Sequence, residues 1–165
     1  MVEKRILALD QTLTNTGWVV LEGGNGSLEV LMKGIIKCSS DLSSHEASYD
    51  KAEQLMYHLA MLTDKIAPLT TEDFVVVFER PAVRGFRIES ALMAGREVVR
   101  MAEAMGWHWE MVSNLTMKKF LGIKIKGAKK SDVKDKLMAH TDVSISGWNE
   151  HNRDACAIGL TYLEG

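Results

Sequence analysis

Residues 5–22 read RILALDQTLTNTGWVVLE. An apolar run, 6–9, ends on a carboxylate, Asp10; six mostly small, polar residues follow, and a second apolar run occupies 17–21. Thr, Asn and Gly carry turn chemistry while Val, Trp and Ile suit strands, so the stretch predicts two strands joined by a short turn. Asp10 needs an explanation. A carboxylate in or just after a buried strand is costly unless a cation or hydrogen bonds compensate it. Two explanations are open: Asp10 caps the turn through its own backbone, or it is a metal ligand whose co-ligands lie elsewhere.

The chain has 165 residues, 46% hydrophobic and 25% charged, which suits one soluble globular domain spanning 1–165. A net charge of −2 gives no overall nucleic-acid signature. Cys38 and Cys156 lie far apart without metal-ligand spacing, so a reducing, intracellular setting is expected. The start, MVEKRILALD, is too short and too charged for a signal peptide, and no apolar run approaches membrane-spanning length. A cytoplasmic protein without a membrane partner is therefore expected.

After a Gly/Asn turn over 21–27, residues 28–38 resume as a third strand, predicting an antiparallel meander. Residues 41–46 are polar and loop-like. Ala52, Leu55, Met56, Leu59, Leu62 and Ile66 recur at spacings of mostly three and four, predicting an amphipathic helix over 49–66 that stops before Pro68. DFVVVFE (73–79) is an unbroken run of the kind buried on both faces of a helix-flanked sheet, and it too ends on a carboxylate, Glu79. A loop with three arginines follows, then a helix over 90–105 and a fifth strand over 107–112. Between 118 and 136, eight lysines face two aspartates, so this window carries +6 and the remainder −8. Ser131 is placed to cap a further helix, and a last helix starts at Asn149 or Asn152. The order β-β-β-α-β-α-β-α-α predicts an α/β domain with a mixed sheet covered by helices.

Asp10 and Glu79 each close a strand, and Asp154 lies in the last helix with His151 three residues earlier, a spacing that shares one helix face. Each has an ordinary explanation alone: Glu79 pairs with Arg80 or Arg84, or His151 merely starts a helix. Together they form an O/O/O/N donor set suited to Mg²⁺, with Mn²⁺ also accommodated by the imidazole. Clustered carboxylates repel one another until divalent ions relieve them. Two such ions serve phosphodiester hydrolysis, and the lysine window would supply phosphate contacts.

These residues resemble the RuvC-type Holliday junction resolvases, of the ribonuclease H-like superfamily, along most of the chain. ILALDQTLTNTGWVV is similar to their first two strands, VVVFERP to the strand ending in their catalytic Glu, and SALMAGREVVRMA to their central dimer helix. FLGIKIKGAKKSDVKDKL resembles their basic segment, and HNRDACAIGLTYL their last helix. The resemblance implies a ribonuclease H-like fold, a five-stranded mixed sheet flanked by helices. It implies that Asp10, Glu79, His151 and Asp154 are both metal ligands and catalytic groups for one or two Mg²⁺ ions. Lys119 and Lys130 match basic residues near the scissile phosphate. The DNA-binding expectation extends to Lys129, Arg80, Arg84, Phe86 and Arg87. Where the family often has a stacking aromatic this chain has Ala82, and Phe86 is the candidate substitute.

The implied activity is metal-dependent cleavage of four-way junctions, forks and flaps, leaving 5′-phosphate and 3′-hydroxyl ends. A two-fold homodimer would present one site to each opposed strand, with Ala91, Ala94 and Gly95 permitting close helix approach. The small size looks like that of a phage-encoded relative. Three other functions compete. ALDQTLTNTG also looks like the first phosphate loop of an actin-like or sugar-kinase ATPase, though a second such loop and domain are missing. The others are a catalytically silent branched-DNA-binding module and an RNA-processing relative of the same fold.

Overall fold

A computed structural model describes residues 3–24, 27–81, 88–123, 130–140 and 147–165, although the side chains of 130, 131 and 138–140 fall outside the description. The meander is β1 (Lys4–Asp10), β2 (Asn15–Gly24) and β3 (Ser27–Lys37). Then come α1 (Ser44–Ile66), a single 3₁₀ turn, β4 (Val75–Glu79), α2 (Ile88–Met105) and β5 (His108–Val112). Helices α3 (Asn114–Leu121), α4 (Lys130–His140) and α5 (Glu150–Glu164) complete the described chain. The five strands form one sheet in the order β3-β2-β1-β4-β5. The meander pairs are antiparallel, whereas β4 runs parallel to both β1 and β5. The expected five-stranded mixed α/β sheet with flanking helices is the one observed.

Strand alternation divides the core between the two faces of this sheet. Leu7, Leu9, Val76 and Phe78 point to one face and pack with Leu55, Leu59 and Leu62 of α1 and Val98 of α2. Ile6, Ala8, Val75 and Val77 point to the other, against Ala155, Ile158 and Leu160 of α5 with Leu121 and Leu137. Side chains alternate at every residue of a strand, so β1 and β4 need apolar residues at both parities. That requirement explains their unbroken runs. It also places Asp10 and Glu79 on the α5 face, in line with Ala8 and Val77.

Glycines let α5 settle onto this face. A Cβ at Gly159 would lie 2.6 Å from Leu21 Cδ1 and 3.0 Å from Ala8 Cβ. At Gly17 it would overlap the main-chain carbon and oxygen of His151. Buried Asn152 anchors the helix further, its Nδ2 donating to the carbonyl of Gly34 at 2.8 Å.

Several boundaries differ from the sequence expectation. Helix α1 begins at Ser44, inside the stretch expected to be loop, with Ser43 in the N-cap position and its hydroxyl donating to Glu46 at 3.3 Å. Helix α3 was not anticipated, so three helices rather than two follow β5. Its cap is well formed: Ser113 accepts from the Thr116 amide, and Gly122 closes the end with φ of 75°. Of the two candidate starts for α5, Asn149 is the cap, accepting from the His151 amide at 2.9 Å. On α2, Ala94 and Gly95 are buried, with Gly95 facing Phe78 and Pro81. Both pack within the chain's own core, while Ala91 is half-buried. Cys38 and Cys156 are both free and buried. No described helix is long and apolar enough to cross a membrane.

Candidate active site

The parallel ladder between β1 and β4 is registered through Leu9 and Phe78. One residue further, the strands end side by side on Asp10 and Glu79. Across β1's other edge Asp10 pairs with Gly17, the residue whose missing side chain admits His151. The main-chain approach at Gly17 therefore sets the imidazole beside the carboxylate, with His151 Nδ1 3.1 Å from Asp10 Oδ2. Asp154 follows one helical turn later on the same face. Thus four side chains from β1, β4 and α5, separated by as many as 144 residues in sequence numbering, converge at one end of the sheet.

Hydroxyls shape the turn between β1 and β2. Thr12 Oγ1 donates to the carbonyl of Asn15 at 2.7 Å and accepts from its amide at 2.9 Å. Thr16 Oγ1 donates back to the carbonyl of Thr12 at 2.9 Å. The turn is thereby closed by threonines, while Asp10, only 8% exposed, carries its contact to α5.

Electrostatics register the crowding. Burial, then the charges of Asp10 and Asp154, push the Glu79 carboxyl up to about 7, against a smaller opposing effect from Lys118. Burial, then Asp10 and Glu150, push Asp154 up to about 6, with His151 and Arg153 opposing. Carboxylates that resist ionisation in each other's presence are the signature of a site suited to a divalent ion. As they stand, no three His, Cys, Asp or Glu side chains among the described residues close around a single ion position. The donor chemistry nevertheless fits a hard cation: carboxylate oxygens and one imidazole, at a partly open strand end.

The basic residues divide. Lys119 is exposed on α3, and the preceding Lys118 is the half-buried lysine whose charge reaches Glu79. The resemblance points to Lys119, and the helical register of α3 brings Lys118 close enough for its charge to act on Glu79 as well. Arg80 is exposed immediately after Glu79. Lys129, Arg84, Phe86 and Arg87 lie outside the described residues, as does the side chain of Lys130. A cleft of about 520 Å³ runs from His151 past Gln11, Thr12, Thr14 and Asn15 to Ser48, Lys51 and Ser90. Gln11, Thr12, Thr14 and Asn15 belong to the ALDQTLTNTG stretch noted above, whereas Ser48, Lys51 and Ser90 carried no signal in the sequence. Only the fold brings the starts of α1 and α2 to the turn.

No family model matches the chain, and no curated protein matches it. Solved structures do. Thermus thermophilus RuvC in complex with a Holliday junction substrate superposes with a TM-score of 0.72 at 17% identity, covering 96% of this chain and 91% of that one. This is the RuvC fold. A second Thermus thermophilus RuvC structure gives 0.69 at 19% identity over 95% and 92% of the two chains. The yeast mitochondrial Holliday junction resolvase Ydc2 gives 0.61 at 12% identity over 97% and 78%. The RuvC fold thus extends over nearly all of the chain.

Proposed function

We propose that this chain is a metal-dependent endonuclease that hydrolyses phosphodiesters in four-way junctions and related branched DNA. The observation that carries this is the convergence of Asp10, Glu79, His151 and Asp154, contributed by three elements, at one end of the sheet of a RuvC fold. A structural site would not need three carboxylates where burial and mutual repulsion oppose their charge.

These four side chains would hold one or two Mg²⁺ ions, with Mn²⁺ able to substitute. When bound, such ions activate water and neutralise charge on the departing 3′ oxygen. Asp10, which meets the imidazole and whose charge acts on both other acids, would be a central ligand of the set. His151 orients the Asp10 carboxylate through Nδ1. Lys118, beside Glu79, is positioned to meet a phosphate entering the site, and Arg80 to extend that contact along the strand. The threonine and serine hydroxyls of the adjoining cleft suit the sugar–phosphate backbone of the strand being cut. The products would carry 5′-phosphate and 3′-hydroxyl ends.

A homodimer would set two such sites on opposed strands of a junction. Because Ala94 and Gly95 are buried, an exposed apolar surface that would serve it lies where Met56 of α1 meets Met105 of α2.

The alternative is a silent branched-DNA-binding module of the same fold, which the four converging side chains argue against. A cleavage panel separates the two. Four-way, three-way and linear substrates are incubated with Mg²⁺ or Mn²⁺, with Asp10→Asn as control. Nicking of branched DNA by the native protein, with Asp10→Asn binding but not cutting, is the expected result. Tight junction binding with no metal-dependent nicking identifies the silent module.

A further inference from the structure

Between Asp10 and Glu79 the gap in the ladder is bridged by a side chain. Gln11 Nε2 donates to the Glu79 carbonyl at 2.7 Å, and Gln11 Oε1 accepts from the Glu79 amide at 3.3 Å. Both polar groups of one main-chain residue are thus taken by one carboxamide. The orientation of that carboxamide follows from the pairing. Reversing it would set NH₂ against N–H and oxygen against oxygen. On its far side Glu79 is paired in register with Val112, and the Arg80 amide donates to the Val112 carbonyl at 2.9 Å. Glu79 is therefore held from both neighbouring strands, on one side by main chain and on the other by Gln11.

We infer that Gln11 is a positioning residue that fixes the distance between the two strand-end carboxylates. It is covalently next to Asp10, so wherever β1 places Asp10, the carboxamide places the Glu79 backbone. Only Gln and Asn carry a donor and an acceptor on one planar group like a peptide, and Asn is one methylene shorter. Gln11 is half-buried in the wall of the cleft beside His151, where a purely solvating amide would gain nothing from a two-point bond. This assignment rests on the nuclease function proposed above. Reacting groups displaced by about 1 Å lose on the order of 10²-fold in rate, so a residue that never touches the substrate can still set the turnover.

The test compares the native chain with Gln11→Met, which keeps the length of the side chain and removes both bonds. Three quantities are read: kcat and KM for junction nicking with Mg²⁺, junction affinity without added metal, and amide hydrogen exchange along β1 and β4. The expected result is a kcat lower by about 10- to 100-fold, with KM and metal-free affinity within about twofold. Exchange at the Glu79 amide should quicken by about tenfold while the Val76 and Val77 amides stay protected. A native kcat in Gln11→Met overturns the inference. So does accelerated exchange throughout both strands, since that marks a general contribution to folding. Failure of the native protein itself to nick any branched substrate overturns the nuclease function, and it is read before any variant is made.

Discussion

Glu79 and Asp154 are acids whose pKa values are raised to about 7 and about 6 in the folded chain, mainly by burial and next by the charge of Asp10. An acid with a higher pKa when folded binds its proton more tightly in the native state, so native stability falls as pH rises through that range. The metal-free protein is therefore expected to lose stability between about pH 4 and 7. The loss is about 2 kcal/mol per acid once the solvent reaching each group is allowed for. Millimolar Mg²⁺ should restore it by binding the ionised cluster. Thermal unfolding at pH 5, 6 and 7.5, with and without Mg²⁺, checks this. Asp10→Asn removes the leading charge repulsion on both acids. It should raise the metal-free melting temperature at pH 7.5 while lowering nicking by on the order of 10²–10³-fold, the loss typical when a group stabilising transition-state charge is deleted. A mutant both less stable and still active would contradict the site. Lys118→Met belongs to the same balance: among the described residues it withdraws a cation opposing the Glu79 shift, so the loss of metal-free stability should grow and extend to higher pH.

At the scale of elements, the site depends on how closely α5 approaches β2. Gly17→Ala would drive a methyl into the main chain of His151, and a backbone obstacle cannot swing aside as a side chain can. The expected cost is about 1–3 kcal/mol, with nicking lost because the imidazole leaves Asp10. Gly159→Ala meets mainly the tip of Leu21, so it should cost less and spare activity; urea unfolding and the junction assay distinguish the two. Strands and the buried helix were legible because their apolar periods are unbroken: Ile6–Leu9 and Val75–Phe78 can only be sheet interior. The carboxylates stood out because each interrupts such a run. Helix α3 was hidden by its length, eight residues, too short for a period to register, and by the lysine-rich composition that begins inside it. Its signals were the turn residues at its ends, Ser113 and Gly122. Gln11 was illegible for a different reason. Its partner is the main chain of a residue 68 positions away, and backbone partners leave no mark on side-chain spacing.

For the molecule as a whole, charge and apolar surface are spatially segregated. Among the described residues, Lys118 and Lys119 lie on α3 and Lys134 and Lys136 on α4, whereas Met56, Tyr57, Leu92 and Met105 emerge from α1 and α2, beneath the opposite face of the sheet. There, a groove of about 350 Å³ runs between Met56, Leu59, Met101 and Met105. Glu97 beside it has an oxygen with no hydrogen-bond partner among the described residues. Scattering coupled to chromatography should show a dimer of the 165-residue chain, reduced to monomer by Met56→Glu combined with Met105→Glu. A native monomer would place the pairing of active sites on the DNA. Separately, junction affinity should fall steeply with salt in proportion to the phosphates neutralised. The contact between Asp10 and His151 joins positions 141 residues apart, and that span has a cost and a benefit in the cell. Contacts so remote slow folding, yet a polypeptide still emerging from the ribosome carries its acids without the helix that completes them. Under the proposed function, a stalled or truncated product ending before α5 would lack His151 and Asp154 and be unable to cut DNA, so synthesis itself would keep the chain inert until nearly every described residue has been translated.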